Sequence, residues 1–214
     1  MSLRIVPLVI CFLITTSLAN AKQVDGEKSS NHLKMVNICD REQCSPTLIF
    51  DSHIYKPTPQ EFMQKLKDVP AGTTLLISGY GKDLDAGVQV GQMIRAKQLN
   101  TRVGRVGQAN LEKTGFYKID GVCLSACAMS FLGGVNRQID SGDKFGVTAI
   151  EPNRKQLPEA TIKKALLDTQ AYLDQMGISK EFFAFIESLK DAKLHLIDLD
   201  RSKKMSIVNF PQAR

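Results

Sequence analysis

The chain has 214 residues, 43% of them hydrophobic, which is long enough for one domain with a sizeable core. It carries 28 Lys and Arg against 22 Asp and Glu, a formal net charge of +6. The basic residues are scattered and no aromatic residues interleave with them. This pattern excludes a typical nucleic-acid-binding surface, and we predict no nucleic-acid partner.

Residues 1–21 have the pattern of a secretory signal peptide. Arg4 provides a positive start, an apolar stretch runs from residue 5 to 18, and small residues predict cleavage after Ala21. The apolar stretch is short and contains Pro7, so it does not predict a permanent membrane span. We therefore expect an exported protein, periplasmic or secreted, with no stable membrane span after cleavage.

Four cysteines remain after cleavage: Cys39, Cys44, Cys123 and Cys127. An even number in an exported chain predicts two disulfides, and three pairings are open. The local pairing, Cys39 with Cys44 and Cys123 with Cys127, is the simplest. A zinc site is the alternative, but these spacings without a nearby histidine fit zinc ligands poorly, so we predict no metal.

The N-terminal part of the domain begins with a polar, aperiodic stretch. Residues 22–36 predict a mobile arm, which leaves 37–214 as the folded domain. A first strand is predicted at 47–54. The helix after it is predicted to begin with Thr58 as N-cap, Pro59 at the first helical position and Glu61 completing a capping box.

The next elements alternate between strand and helix. The continuous apolar run TTLLIS, 73–78, is typical of a strand buried on both faces. Gly79 and Gly81 predict a tight turn after it, followed by a helix over 83–99. A strand at 101–106 and a loop at 107–116 complete this part.

The second half repeats the alternation. An extended segment at 118–123 leads to Ser125, and a short helix follows that ends at Gly133 and Gly134. Further predictions are a strand at 144–150, a long helix after Pro158, a helix capped by Ser179 and a strand-like tail, MSIVNF, at 205–210. Alternating strands and helices without an internal repeat predict an α/β fold with a largely parallel sheet.

Ser125 lies in the sequence CLSAC at a predicted strand-to-helix turn. Such a turn exposes the hydroxyl, and the first N–H groups of the helix face an oxyanion formed beside it. The alternative is that Ser125 only caps the helix. Residues four apart in a helix have Cβ atoms about 5–6 Å apart, beyond the roughly 3.5–4.5 Å of a disulfide. Pairing of Cys123 with Cys127 therefore requires Cys123 to precede the helix.

The order strand, SGYGKDLDAGVQVGQMIR, strand, CLSACAMSFLGGVNRQIDSGDKFGV resembles the Clp-protease proteolytic-subunit and crotonase superfamily, and within it exported relatives carrying C-x-S-A-C. The resemblance implies a ClpP/crotonase-like spiral of β-β-α units, with a largely parallel sheet, flanking helices, and assembly into trimers or larger rings. It also places Ser125 at the nucleophile position. The oxyanion hole would use the N–H of Ala126 and one from Gly81 or Lys82, although the family turn reads S-P-G-G and this chain reads G-Y-G-K.

The resemblance also reveals a departure at the general base. Active members place a histidine after the Gly-Val of FGV, where this chain has Thr148, and their orienting acid aligns with Leu194. A threonine hydroxyl does not take a proton from serine near neutral pH. We therefore expect a degenerate serine hydrolase that binds a peptide, an acyl compound or a protein partner and uses no cofactor.

Two other functions stay open at the sequence level. One is a weak serine peptidase or esterase with an unrecognised base, for which His195 lies in the right region. The other is thiol chemistry at Cys123 or Cys127, which export disfavours.

Overall fold

The computed structural model describes residues 32–40, 43–108, 116–150 and 154–210, which fall in one unit beginning at residue 31. The signal peptide and residues 22–31 of the predicted arm lie outside the described residues. Within the described ranges, ten strands and six α-helices follow one another. The strands are β1 (Leu33–Asp40), β2 (Gln43–Asp51), β3 (Thr74–Gly81), β4 (Asn100–Val103), β5 (Arg105–Gln108), β6 (Phe116–Ile119), β7 (Val122–Ser125), β8 (Arg137–Gln138), β9 (Lys144–Val147) and β10 (His195–Leu196). The helices are α1 (Thr58–Lys65), α2 (Leu84–Ala96), α3 (Ala126–Leu132), α4 (Glu159–Gln175), α5 (Lys180–Ser188) and α6 (Leu199–Lys204).

Strand β3 is the hub of the sheet. Its first residues pair in parallel with both β2 and β4, and its last three pair in parallel with β7. The run Leu75–Gly79 is buried, which confirms the predicted strand with two covered faces. The strand then continues through Gly81, so the predicted tight turn at Gly79 and Gly81 is wrong. The glycines lie within the strand, where neighbouring backbone passes too close for a Cβ: one at Gly79 would lie 1.8 Å from the carbonyl oxygen of Ser52.

The sheet is parallel at its centre and antiparallel at its margins. The β2–β3–β4–β8 and β3–β7–β9 pairings are parallel. The β1–β2, β5–β6 and β9–β10 pairings are antiparallel, and β1 also meets β6 in parallel. Helices flank the sheet, and α2 packs on α3 at Gly87, where a Cβ would lie 2.4 Å from the carbonyl oxygen of Ala126. The predicted α/β class with a largely parallel sheet is confirmed.

Strand β1 corrects the boundary of the predicted N-terminal arm. Residues 33–36, the last four of that arm, belong to β1 and pair with β2 from Leu33↔Phe50 onward. Leu33 is buried in the core although the surrounding sequence is polar. The pairing partner, which is not visible in the local pattern, orders this stretch.

Two other strand predictions need correction. The single strand predicted at 101–106 is divided between β4 and β5 at Gly104, whose φ is 156°. The tail at 205–210 forms no strand, because a buried guanidinium takes the carbonyl oxygens of Ser206 and Ile207. Of the predicted loop at 107–116, residues 107–108 and 116 belong to β5 and β6, and 109–115 lie outside the described residues.

The helix starts differ from the predicted caps. Thr58 is the first residue of α1 rather than its N-cap, and its hydroxyl accepts a hydrogen bond from the Tyr55 N–H at 3.1 Å. Ser179 does occupy the N-cap position of α5, but its side chain makes no capping hydrogen bond. None of the helices in the described ranges combines the length and apolarity needed to cross a membrane.

Two arginines join the carboxyl ends of three helices. Arg95 donates to the carbonyl oxygens of Gly133, Gly134 and Met176 at 2.9, 2.9 and 3.3 Å. Arg137, 2% exposed, donates to Gly134, Met176, Ser206 and Ile207 at 2.8–3.2 Å. Burial, followed by the charge of Arg95, lowers the pKa of Arg137 to about 10, so it stays a cation at neutral pH. The carbonyl ends of α3, α4 and α6 thus meet at fixed positive charges.

A charged network lies where β7 and β9 begin. The Asp143 carboxylate has no exposed surface and accepts hydrogen bonds from Lys118 Nζ, Gly121 N–H and Asp140 N–H at 3.0, 2.8 and 2.9 Å. Burial acts to raise the pKa of Asp140, but hydrogen bonds from Lys118, Gln138 and Arg102 outweigh it and hold that pKa below its usual value. These contacts fix the starts of both strands that carry the candidate site at their other end.

Candidate functional site

Ser125 occupies a sharp turn between β7 and α3. Its φ is 57° and its ψ is −113°, close to a type II′ turn position that glycine usually fills. The side chain is nearly buried, with 9% of the residue exposed. The predicted strand-to-helix turn is confirmed. Ser125 also occupies the N-cap position of α3, as the alternative predicts, but its hydroxyl makes no capping hydrogen bond.

The hydroxyl of Ser125 instead meets the hydroxyl of Thr148. The two oxygens lie 3.0 Å apart, and either can be the donor. Thr148 follows the last residue of β9, and β9 pairs with β7, so the sheet brings together two residues 23 positions apart. Two hydroxyls can share one proton and offer the other to a ligand oxygen, but neither is a base near neutral pH.

Gly81 and Ala126 lie beside Ser125. Gly81 is in register with Ser125 across the β3–β7 pairing. A Cβ at Gly81 would lie 2.1 Å from the carbonyl oxygen of Ile54 and 3.1 Å from the Ala126 Cβ, so only glycine fits there. Ala126 is the first residue of α3, and the first N–H groups of a helix have no partner within it. The structure therefore brings together Ser125, Thr148, Gly81 and Ala126.

Lys82 lines a cleft that the sequence did not predict. The cleft has a volume of about 380 Å³ and lies between the start of α2, α3 and α4. Its apolar lining includes Leu84, Val88, Met129 and Ile150, and its charged lining consists of Lys82, Asp83, Asp85 and Asp168. Met129 follows Ser125 by four residues and Ile150 follows Thr148 by two, but Ser125 and Thr148 are not among the residues that line the cleft. The four-residue spacing between Ser125 and Met129, which is one turn of a helix, is the sequence feature from which Met129 could have been predicted to line this cleft.

The two disulfides have the local pairing. Cys39 and Cys44 face each other across β1 and β2, with Cα atoms 3.9 Å apart. Cys123 in β7 is bonded to Cys127 in the first turn of α3, with Cα atoms 5.1 Å apart. The predicted bond that brackets Ser125 is therefore confirmed. In the described part of the chain, no cluster of three or more His, Cys, Asp or Glu residues could hold a metal ion.

The histidines have other neighbours. His195, in β10, is in register with Val147. Its Nε2 lies 3.6 Å from Asp191 Oδ1, too far for a hydrogen bond, and its ring stands edge-on to Phe185. His53 stacks against Tyr80 with ring centroids 3.9 Å apart. The contacts of His53 and His195 are thus with residues other than Ser125, whose hydroxyl meets Thr148.

Leu194 lies at the position where the family resemblance implies an orienting acid, and the two carboxylates near it in the sequence make contacts of their own. Leu194 is 44% exposed. Of the nearby carboxylates, Asp198 caps α6 by accepting a hydrogen bond from the Arg201 N–H at 2.8 Å. Asp191 accepts one from the Lys193 N–H at 3.1 Å. Both carboxylates accept hydrogen bonds from backbone N–H groups of local turns, and Asp191 also lies 3.6 Å from His195.

Comparison with known proteins identifies the fold. No protein-family model matches the sequence, and no curated protein does. Among solved structures, ClpP1 from Listeria monocytogenes matches with a TM-score of 0.52 and 12% identity over 75% of this chain and 86% of that one. The fold is ClpP-like. A mutant of the 1510-N membrane-bound stomatin-specific protease matches equally, with a TM-score of 0.52 and 12% identity over 75% of each chain.

The likeness to these structures identifies the fold and assigns no activity to Ser125. At 12% identity the likeness shows the fold alone. What this chain does has to be argued from the side chains at the end of β7, the start of α3 and the end of β9.

Proposed function

We propose that this protein is an exported ClpP-like domain that binds a peptide, an acyl compound or a protein partner and has lost efficient serine-hydrolase chemistry. The observation that carries the proposal is the 3.0 Å contact between the hydroxyls of Ser125 and Thr148. It puts a second hydroxyl where a serine nucleophile needs a proton acceptor.

Acyl transfer by a serine requires that its proton leave as the oxygen attacks the carbonyl carbon. Thr148 can accept a hydrogen bond from Ser125, but its hydroxyl does not hold the transferred proton near neutral pH. Loss of the base and its orienting acid removes several powers of ten from the rate in serine hydrolases. Binding can outlast that loss, because hydrogen-bond donors do not need to change protonation state.

The same residues are suited to holding a carbonyl or carboxylate oxygen. When one hydroxyl of the Ser125–Thr148 pair donates to the other, the second proton is available to a ligand. The N–H of Ala126, with one from Gly81 or Lys82, would complete the oxygen site that the family resemblance implies. The cleft lined by Met129 and Ile150, whose walls also carry Asp83, Asp85 and Asp168, would then take an adjoining part of the ligand that is apolar or positively charged.

Reaction with a fluorophosphonate tests the loss of catalysis. We expect the native protein to label no faster than a Ser125→Ala control. A Thr148→His variant should label slightly, limited by the missing acid. Stoichiometric labelling of native Ser125 would overturn the proposal and favour the weak hydrolase, and a His195→Ala variant would then show whether His195 is its base.

Binding needs a separate test. Titration with an N-acetylated tripeptide, followed by amide NMR, should shift the resonances of Ala126 and Thr148 saturably. The Ser125→Ala/Thr148→Val double variant should weaken this response, and the same peptide with an amidated end distinguishes a carboxylate from a carbonyl as the bound group. No saturable shift with any peptide would remove the support for a peptide ligand.

Export and self-association belong to the same proposal. Two disulfides support an oxidising compartment. The intact mass of the exported protein should correspond to a chain that begins at Lys22. Sedimentation of that protein would show whether it assembles into the trimers or larger rings that the family resemblance implies.

A further inference from the structure

The backbone at Ser125 needs something to hold it. The backbone of Ser125 has φ 57° and ψ −113°, a conformation that residues other than glycine rarely adopt. Residues in such conformations persist only where their surroundings fix them. On one side, β7 is held by hydrogen bonds to β3 and β9. On the other, every residue of α3 is buried. Ser125 itself pairs with Gly81 at the end of β7, and its hydroxyl meets that of Thr148. One covalent restraint, in addition, spans the turn.

That restraint is the bond between Cys123 and Cys127, which spans Ser125 symmetrically at two residues on each side. The relaxed alternative for a serine before a helix is to join the helix. A regular helix through residues 123–127 would hold the two Cβ atoms about 5–6 Å apart, and a disulfide accepts about 3.5–4.5 Å. The disulfide is thus compatible with the turn and incompatible with a helix that runs back through Ser125.

The surroundings of this disulfide differ from those of an exposed, reducible one. Cys123 and Cys127 are both 0% exposed, and Cys123 is in register with Gly79 on one side and Phe145 on the other. A solute therefore reaches the sulfur atoms only after β7 or α3 moves. The bond acts as a permanent restraint on the folded protein rather than as a redox sensor.

We infer that the Cys123–Cys127 disulfide is a positioning element that keeps Ser125 in its positive-φ conformation and its hydroxyl against Thr148. The inference about backbone geometry stands on the structure of the turn. Only its consequence for ligand binding rests on the proposed function. Without the bond, Ser125 relaxes toward the helix, and the 3.0 Å contact with Thr148 is lost.

Amide hydrogen exchange at residues 126–128 tests the inference, in chains with Ser125 and with Ser125→Gly. Glycine adopts positive φ without strain, so it does not need the restraint. A helix that extends back through Ser125 would give these amides the intrahelical acceptors they lack in the turn. We therefore expect the Cys123→Ala/Cys127→Ala change to slow exchange at these amides by at least about tenfold when residue 125 is serine. The same change should have an effect of less than about threefold when residue 125 is glycine.

Two outcomes would overturn the inference. An equal change in exchange in the serine and glycine chains would mean that the disulfide only stabilises the fold, and unchanged or faster exchange in the serine chain would mean that Ser125 does not relax into the helix. The Cys39→Ala/Cys44→Ala variant is the matched control and should leave residues 126–128 unchanged. If the alanine variant does not fold, the native chain refolded in a phosphine gives the dithiol form with unchanged side-chain volumes. Since no ligand is used, a failed binding proposal does not affect this result.

Discussion

The strand pair β7–β9 carries polar side chains at both ends, and the two ends are built differently. At the start, the buried carboxylate of Asp143 accepts three hydrogen bonds from fixed donors. At the end, Ser125 and Thr148 share one hydrogen bond between two hydroxyls. At the start of the pair, the three donors are engaged with Asp143, and these contacts stabilise the fold. The other end retains a donor for another molecule, as expected of a binding site on a rigid support.

Among the substitutions that test this comparison, those at Asp143 should have the largest effect on stability. Replacing Asp143 by Ala leaves the N–H groups of Gly121 and Asp140 without their acceptor and removes a partner of Lys118. We expect the free energy of unfolding to fall by about 3 kcal/mol. Urea denaturation measures it, with the exposed Asp191→Ala as control, which should change by less than about 0.5 kcal/mol. A loss as small as the control's would show that the network does not hold the strands.

At the other end of the pair, the backbone rather than the side chain of Ser125 carries the energetic cost. Both Ser125→Gly and Ser125→Ala lose the hydroxyl, but only glycine relaxes the strain at φ 57°. We expect the glycine variant to be more stable than the alanine variant by about 1–2 kcal/mol, because strain relief exceeds the entropy cost of glycine. Thermal unfolding of the two variants side by side measures it. Equal stabilities would mean that the turn is not strained.

The hydroxyl contact itself should matter less for stability. Thr148→Val keeps the side-chain shape and removes the partner of the Ser125 hydroxyl. We expect a loss of about 0.5 kcal/mol, since one hydrogen bond between partly exposed hydroxyls contributes little net stability. Thr148→Ser, which keeps the hydroxyl, is the control. A loss near that of Asp143→Ala would place Thr148 among the residues that hold the fold.

The smallest effect concerns acid. Because the pKa of Asp140 is lower in the folded protein than in the unfolded chain, its contribution to stability is present above the unfolded pKa and is lost as pH falls through the folded one. The loss should begin below about pH 4. Denaturation curves between pH 5 and about pH 2 should therefore slope less steeply for Asp140→Asn than for the native protein. Parallel slopes would mean that other carboxylates account for all the acid sensitivity.

The site was more predictable from sequence than the margins of the sheet. Ser125 at a strand-to-helix turn followed from local pattern and glycine positions. The disulfide around it followed from cysteine spacing, although the sequence left three pairings open. By contrast, β1 was assigned in part to a mobile arm, since residues 33–36 are ordered by pairing with β2 and not by their own composition.

The tail shows a similar limit in physical terms. Residues 205–210 have strand-like side chains, but whether backbone forms a strand depends on where its carbonyl groups bond. Here Arg137, about 70 positions earlier in the chain, takes two of those carbonyl groups. The cleft at Met129 and Ile150 was missed for the same reason: its walls come from α2, α3 and α4, and only the folded chain brings them together.

The arginine pair also determines how far the chain can be shortened. Two of the four carbonyl groups to which the Arg137 guanidinium donates within the described ranges are those of Ser206 and Ile207. A chain cut before Ser206 would keep the guanidinium in the core with half of its acceptors missing. The α6 segment is therefore not an appendage to the sheet. The carbonyl groups that follow α6 complete the hydrogen bonds of the buried Arg137 guanidinium, which also contacts the carboxyl end of α3.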